Sequence, residues 1–192
     1  MIIFEPWVGS RYRDQPVRLL LLGESHYGGD ETRDPEPGST NRVVAEWKSG
    51  GWAVRYLTTA ARLITGKERW QIDKAADLEG IAFYNFVQVN VGDLRNRPTW
   101  AQFQASAPAF KMVLRQIDPT HVLATGKGLW DAMPNFDLGP GQDVDLAGAK
   151  RHIGRYETPS GSALATMIPH LSRGFSSPIW HGPVKAFLEM KP

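Results

Sequence analysis

The 192 residues, 42% hydrophobic and 10% aromatic, suit a single domain over 1–192 with a sizeable core and exclude an arrangement of two full domains. The absence of cysteine excludes disulfides, thiolate-ligated zinc, iron–sulfur clusters and thiol nucleophiles, and the expectation is a protein without metal or cofactor. A formal charge of +2, from 22 Lys+Arg against 20 Asp+Glu, leaves a polyanion to be met by a local basic surface, not by a global field.

In chain order, Met1 to Phe4 is apolar but is broken at once by Glu5-Pro6, too short for a signal peptide. No later run reaches the roughly 18 apolar residues of a membrane span, so the expectation is a cytoplasmic protein with no membrane partner. Val17 to Leu22 is continuously apolar, as a strand covered on both faces should be. Asp30 to Ser39 is rich in Gly, Pro and Asp and reads as a loop. Trp52 to Ile64 has helical spacing, with Leu57, Ala60, Ala61 and Ile64 on one face, and stops at Gly66. Ile81 to Val89 reads as the second strand. Thr99-x-x-Gln102 is a capping box ahead of a helix carrying Phe103, Phe110, Leu114 and Ile117, which Pro108 should split or kink. His121 to Thr125 is the third strand, Asn135 to Arg151 a loop, and Ala163 to Ile168 the fourth strand. A last helix is expected from about Pro178 to Met190, burying Ile179, Pro183, Val184, Phe187 and Leu188.

Strands alternating with helices predict an α/β fold, a three-layer α/β/α arrangement around a central four-stranded parallel sheet. Sites in such sheets form beyond the carboxyl ends of the strands. The loop after the first strand places Glu24, Ser25, His26 and Tyr27 in a row behind Gly23. Glycine allows close backbone approach, Glu24 can act as base or cation stabiliser, His26 can shuttle protons, and Tyr27 can wall a pocket. Asn85, inside an otherwise hydrophobic run, needs a partner, and an amide offers the donor and acceptor that read the edge of a base; a strand-end Asn tying down a loop is the bland alternative. Gly126 and Lys127, after the third strand, offer free amides and a cation to an anion. The fourth strand runs into His170, Leu171, Ser172 and Arg173, which supply an imidazole, a hydroxyl and a guanidinium suited to phosphate.

Taken together, these segments resemble the uracil-DNA glycosylase superfamily over nearly the whole chain. Leu19 to Gly28 resembles the first motif, in which a strand delivers Gly-Gln-Asp-Pro-Tyr and the Asp assists the attacking water. Asn85 is similarly placed to the Asn that reads the base. Trp100-x-x-Phe103 and Val122 to Lys127 resemble the helix and the phosphate-contacting third strand end. His170 to Phe175 resembles the loop that stabilises the departing base, grips phosphate and wedges the duplex, and Pro35 to Ser39 resembles the proline-rich loop that compresses the DNA backbone. The chain departs from the pattern at Ser25, in place of the Asp, and at His26 and Leu171, each in place of a Pro. The aromatic segment that sandwiches uracil has no counterpart between Tyr27 and Pro35, although Trp7 or Tyr12 on another loop can fill that space.

The resemblance implies a monomeric DNA glycosylase, a hydrolase that flips a damaged, deaminated or modified base out of DNA and cuts its N-glycosidic bond. Glu24 would face the cationic sugar and orient water, with Ser25 and His26 beside it. His170 would donate to the leaving base, while Gly23, Tyr27 and Asn85 hold that base. Gly126, Lys127, Ser172 and Arg173 would meet phosphates, with Leu171 or Arg173 as the wedge. Two alternatives stand beside this one: a non-catalytic DNA or modified-base binder of the same fold, suggested by Ser25, and a serine esterase of the SGNH type, in which Ser25 would be the nucleophile.

Overall fold

The computed structural model describes residues 1–27, 36–51, 54–93, 96–172 and 174–192. Its elements, in order, are β1 (Trp7–Val8), β2 (Leu19–Gly23), α1 (Ser39–Lys48), α2 (Val54–Thr65), β3 (Ile81–Asn85), α3 (Trp100–Ile117), β4 (His121–Thr125), α4 (Lys127–Ala132), β5 (Gln142–Leu146), β6 (Ala149–Thr158), β7 (Gly161–Ile168) and α5 (Ser177–Leu188). The α/β class agrees with the sequence. The sheet does not: it has seven strands in the order β1-β3-β2-β4-β7-β6-β5. Strands β3, β2, β4 and β7 are parallel neighbours, whereas β1, β6 and β5 join antiparallel at the two edges.

The four leucines of β2 explain the layering. Leu19 and Leu21 point into one core with Val44 and Trp47 of α1, Leu57 and Ala60 of α2, and Val184 and Phe187 of α5. Leu20 and Leu22 point into the other with Phe103, Phe110 and Val113 of α3 and Leu129 of α4. Successive strand side chains face opposite ways, so a run that is apolar at every position needs helices on both faces. Each buried Leu contributes roughly 1.5–3 kcal/mol.

The capping box forms at the start of α3, where Thr99 Oγ1 accepts from Gln102 N at 3.3 Å and Thr99 N donates to Gln102 Oε1 at 2.8 Å. Pro108 lies inside this helix without ending it. Ile179, expected on the buried side of α5, is 73% exposed, because α5 starts with Ser177 buried and its inward face runs through Pro183, Val184 and Phe187. The segment read as a loop, Asn135 to Arg151, contains β5 and the start of β6. Its strand pattern is hidden because β5 is an edge strand with little buried surface, Gln-Asp-Val-Asp-Leu.

The hairpin is braced by Phe136, whose ring lies flat on Gly154: a Cβ there would stand 2.2 Å from the ring carbons. Tyr156 meets the ring edge-on at 5.3 Å and His152 stacks on it at 5.9 Å. We expect Gly154→Ala to destabilise the protein by about 1–3 kcal/mol in urea denaturation, and Gly154→Ala with Phe136→Leu to recover part of that loss.

Candidate functional site

The carboxyl ends of β2 and β3 are joined in register, Gly23 opposite Asn85. The pairing continues past the strands: Phe86 N donates to Gly23 O at 3.0 Å, Val87 N to Glu24 O at 2.9 Å and Val91 N to His26 O at 3.1 Å. The loop bearing the candidate residues is thus fixed to its neighbour along its length. Glycine at 23 is required sterically, since a Cβ there would lie 2.2 Å from Asn85 Oδ1. The carboxamide therefore crosses directly over the backbone of β2.

Asn85 is buried, and Nδ2 donates to His26 Nε2 at 3.2 Å; the Thr40 hydroxyl lies 3.0 Å from the same nitrogen. His26 is also buried, with its ring 4.5 Å from that of Phe4, and desolvation pulls its pKa down to about 4. This corrects the expectation that His26 shuttles protons. It is a neutral post that orients Asn85, with its Nε2 committed to Thr40 and Asn85. Folded His26 takes up its proton only near pH 4, whereas the unfolded residue does so near 6.5. Its stabilising effect is complete above about pH 6.5 and is lost as pH falls toward 4, by about 3 kcal/mol. Denaturation curves between pH 7 and 4 should show that slope, and His26→Gln should flatten it by that amount.

Glu24 is half-buried. Tyr27 OH donates to its Oε1 at 3.1 Å, and its Oε2 lies 3.6 Å from where a Cβ on Gly128 would stand, so the start of α4 borders the carboxylate. The Tyr27 pKa is raised, first by burial and further by the Glu24 charge, with Arg97 opposing. Ser25 Oγ is buried and has no hydrogen-bond partner among the described residues. A serine nucleophile needs a histidine within hydrogen-bond reach, and none is there.

His170 follows β7, beyond the end of the same sheet. Its Cβ lies 3.5 Å from where a Cβ on Gly126 would be, and Gly126, at φ +111°, holds a conformation that favours glycine. The imidazole stands 5.9 Å from the ring of Tyr56, which also contacts Phe83 at 5.7 Å. Tyr56 OH donates to Thr125 Oγ1 at 2.8 Å, and Thr125 in turn donates to Leu22 O at 3.0 Å, so the ring is anchored to β4 and β2. Partial burial lowers the His170 pKa; the Glu24 charge works against that shift and Arg97 adds to it. The shift favours the neutral ring, which has an N–H to donate.

Two residues of this site escape the sequence reading. Tyr56 lies beside the apolar face of α2, and no local pattern sets it apart from core. Arg97 falls in the segment after β3 that position alone singles out, but its bearing on Tyr27 and His170 exists only in three dimensions.

The remaining expectations divide. Lys127 is exposed and pairs with Asp131 at 2.5 Å, at the head of a helix of only six residues. Ser172 is exposed, and its carbonyl accepts from Phe175 N at 3.2 Å. Leu171 is 1% exposed and packs in the core beneath the sheet, which corrects its assignment as a wedge: inserting it into DNA would require extracting it from that core. Trp7 and Tyr12 are buried, so neither fills the space of an aromatic clamp. Arg173, Gly28, Gly29 and Pro35 lie outside the described residues. Among those described, no helix is long and apolar enough to cross a membrane and no group of three His, Asp or Glu could hold a metal ion. No family model matches the chain, and no curated protein is significantly similar to it.

Proposed function

We propose that the protein is a DNA glycosylase, acting on a base extruded from DNA into the space between Glu24, Asn85 and His170. The observation that supports this reading is that Glu24, Asn85 and His170 stand at the ends of three parallel strands of one sheet, with Glu24 bordering Gly128 and His170 bordering Gly126. Departure of a base from C1′ leaves positive charge on the sugar and negative charge on the base. Glu24 stabilises the first and takes a proton from the water whose oxygen bonds to C1′. His170 donates a hydrogen bond from its N–H to the base as the bond electrons move onto it, and the base leaves as an anion that takes a proton from solvent, to which Glu24 returns its own. The products are an abasic sugar and the free base.

Asn85 reads the edge of that base. With Nδ2 donated to His26, its amide is held in one orientation, which favours one donor and acceptor pattern over its reverse. Tyr27 and Tyr56 would supply aromatic walls, and Gly126, Lys127 and Ser172 would meet phosphates. A second reading, a binder of DNA or a modified base with no catalysis, is favoured by the unpartnered Ser25 hydroxyl where a water-assisting acid would be expected. Oligonucleotides carrying uracil, hypoxanthine, xanthine or bulky cytosine and thymine derivatives separate the two. Alkali-labile strand breaks at one of these bases support the glycosylase, whereas tight binding without breaks across the panel supports the binder.

A further inference from the structure

A cleft of about 510 Å³ opens beside α4, away from the strand ends. Trp130, Met133, Phe136 and Tyr156 give it apolar and aromatic walls, and Asp131 and Asn135 stand at its polar edge. Its size and lining are those of a small-molecule site, where aromatic surface supplies affinity and a few polar groups fix orientation.

The aromatic wall is one packed cluster. Phe136 is seated on Gly154, meets Tyr156 edge-on at 5.3 Å and tilts against Trp130 at 5.6 Å. The loop that carries it is tied down along its length: Tyr156 OH donates to Pro134 O at 2.6 Å, Asp137 N to Arg155 O at 3.0 Å, and His152 Nε2 to Pro140 O at 2.8 Å. An apolar cleft that the surrounding hydrogen bonds prevent from collapsing is preorganised for a flat apolar guest. A planar ring with polar edges fits best, stacked on Trp130 and Phe136 with its edge toward the Asn135 carboxamide.

The placement of α4 says which ring. Gly128, near its start, borders the Glu24 carboxylate, and Trp130 lies two residues on. Six helical residues span about 9 Å, so cleft and strand-end pocket lie within reach of neighbouring nucleotides on one extended strand. We propose that the cleft holds a second nucleobase of the strand whose target base enters the Glu24 pocket, so that the protein prefers single-stranded DNA. This rests on the glycosylase reading for the location of the strand, and on the cleft itself for the second base. In a duplex, flanking bases are paired and stacked and cannot enter; in a single strand each base presents a free face to aromatic side chains.

The test uses the full chain and unmodified DNA, so that it does not depend on base release. A short fluorescein-labelled oligothymidylate should bind more tightly than the same strand paired with oligodeoxyadenylate. Trp130→Ala should weaken binding of the single strand by about tenfold, and Trp130→Phe should keep most of the affinity. Equal single-strand affinity for Trp130→Ala and wild type would overturn the proposal, as would a preference for the duplex. Free thymidine saturating the cleft as tightly as the oligonucleotide would also overturn it, by showing a site for nucleosides and not for a strand. Loss of base release with Trp130-dependent binding intact counts against the glycosylase reading alone. Base release with no Trp130 dependence of binding counts against the cleft alone.

Discussion

Glu24→Gln should reduce base release by about 10²–10⁴-fold while leaving DNA affinity within a few-fold of wild type. The side chain keeps its length, and its carbonyl oxygen can still accept from Tyr27 OH, so the loop geometry at 3.1 Å survives. What disappears is the negative charge that the proposed mechanism sets against the sugar and the oxygen that would take the proton of the attacking water. His170→Ala should cause a smaller loss, about 10²–10³-fold, since it removes a single donor to the departing base. These losses should appear in kcat under single-turnover conditions, because both groups act mainly once charge has developed. A Glu24→Gln protein with near-wild-type rates would remove the residue from the chemistry.

Gly23→Ala is the second change with a large expected effect, and it acts through packing. The added methyl would stand 2.2 Å from Asn85 Oδ1. Neither group can easily yield. The backbone at 23 is held by Phe86 N at 3.0 Å, and the carboxamide is held by His26 at 3.2 Å, which itself is buried against Phe4 and Thr40. Relief requires turning Asn85 away and breaking its bond to His26, a loss of about 1–3 kcal/mol for the buried groups left unpaired. We expect a lower urea midpoint and, on the proposed role of Asn85 in reading the base, a substantial rise in KM. Gly23→Ala with Asn85→Ala should regain much of the stability and none of the activity, which distinguishes the steric cause from a general loss of fold.

What could be read from the sequence follows the burial of each element. Strands β2, β4 and β7 are apolar because helices cover both of their faces, and their positions were legible within two residues at each end. Ile81 to Val89 looked like one strand, yet regular pairing stops at Asn85; Phe86 and Val87 are buried as well, so apolar character outlasts the strand. β1 is too short to leave a pattern, and β5 too polar. The parallel centre of the sheet was legible, but its antiparallel edges were not.

The candidate site divides in the same way. Gly23 and Asn85 end their strands and Glu24, Tyr27 and His170 follow theirs, a property that chain order alone conveys. The part played by His26 depends on Thr40 and Phe4, far from it in sequence, and Leu171 turns inward because the core under α5 has room for it. Tyr56 and Arg97 reach the site from a helix and a loop, and only the packing of α2 against the sheet and the path of the chain after β3 bring them near His170.

The most direct test of the central claim is to measure, on one DNA sample at excess enzyme, both the free base in solution and the abasic sites left in the strand. The expected result is equal molar amounts of the two with the wild-type protein, and neither with Glu24→Gln at the same DNA occupancy. DNA that remains intact when fully bound by the wild-type protein, across every modified base offered, would contradict the account.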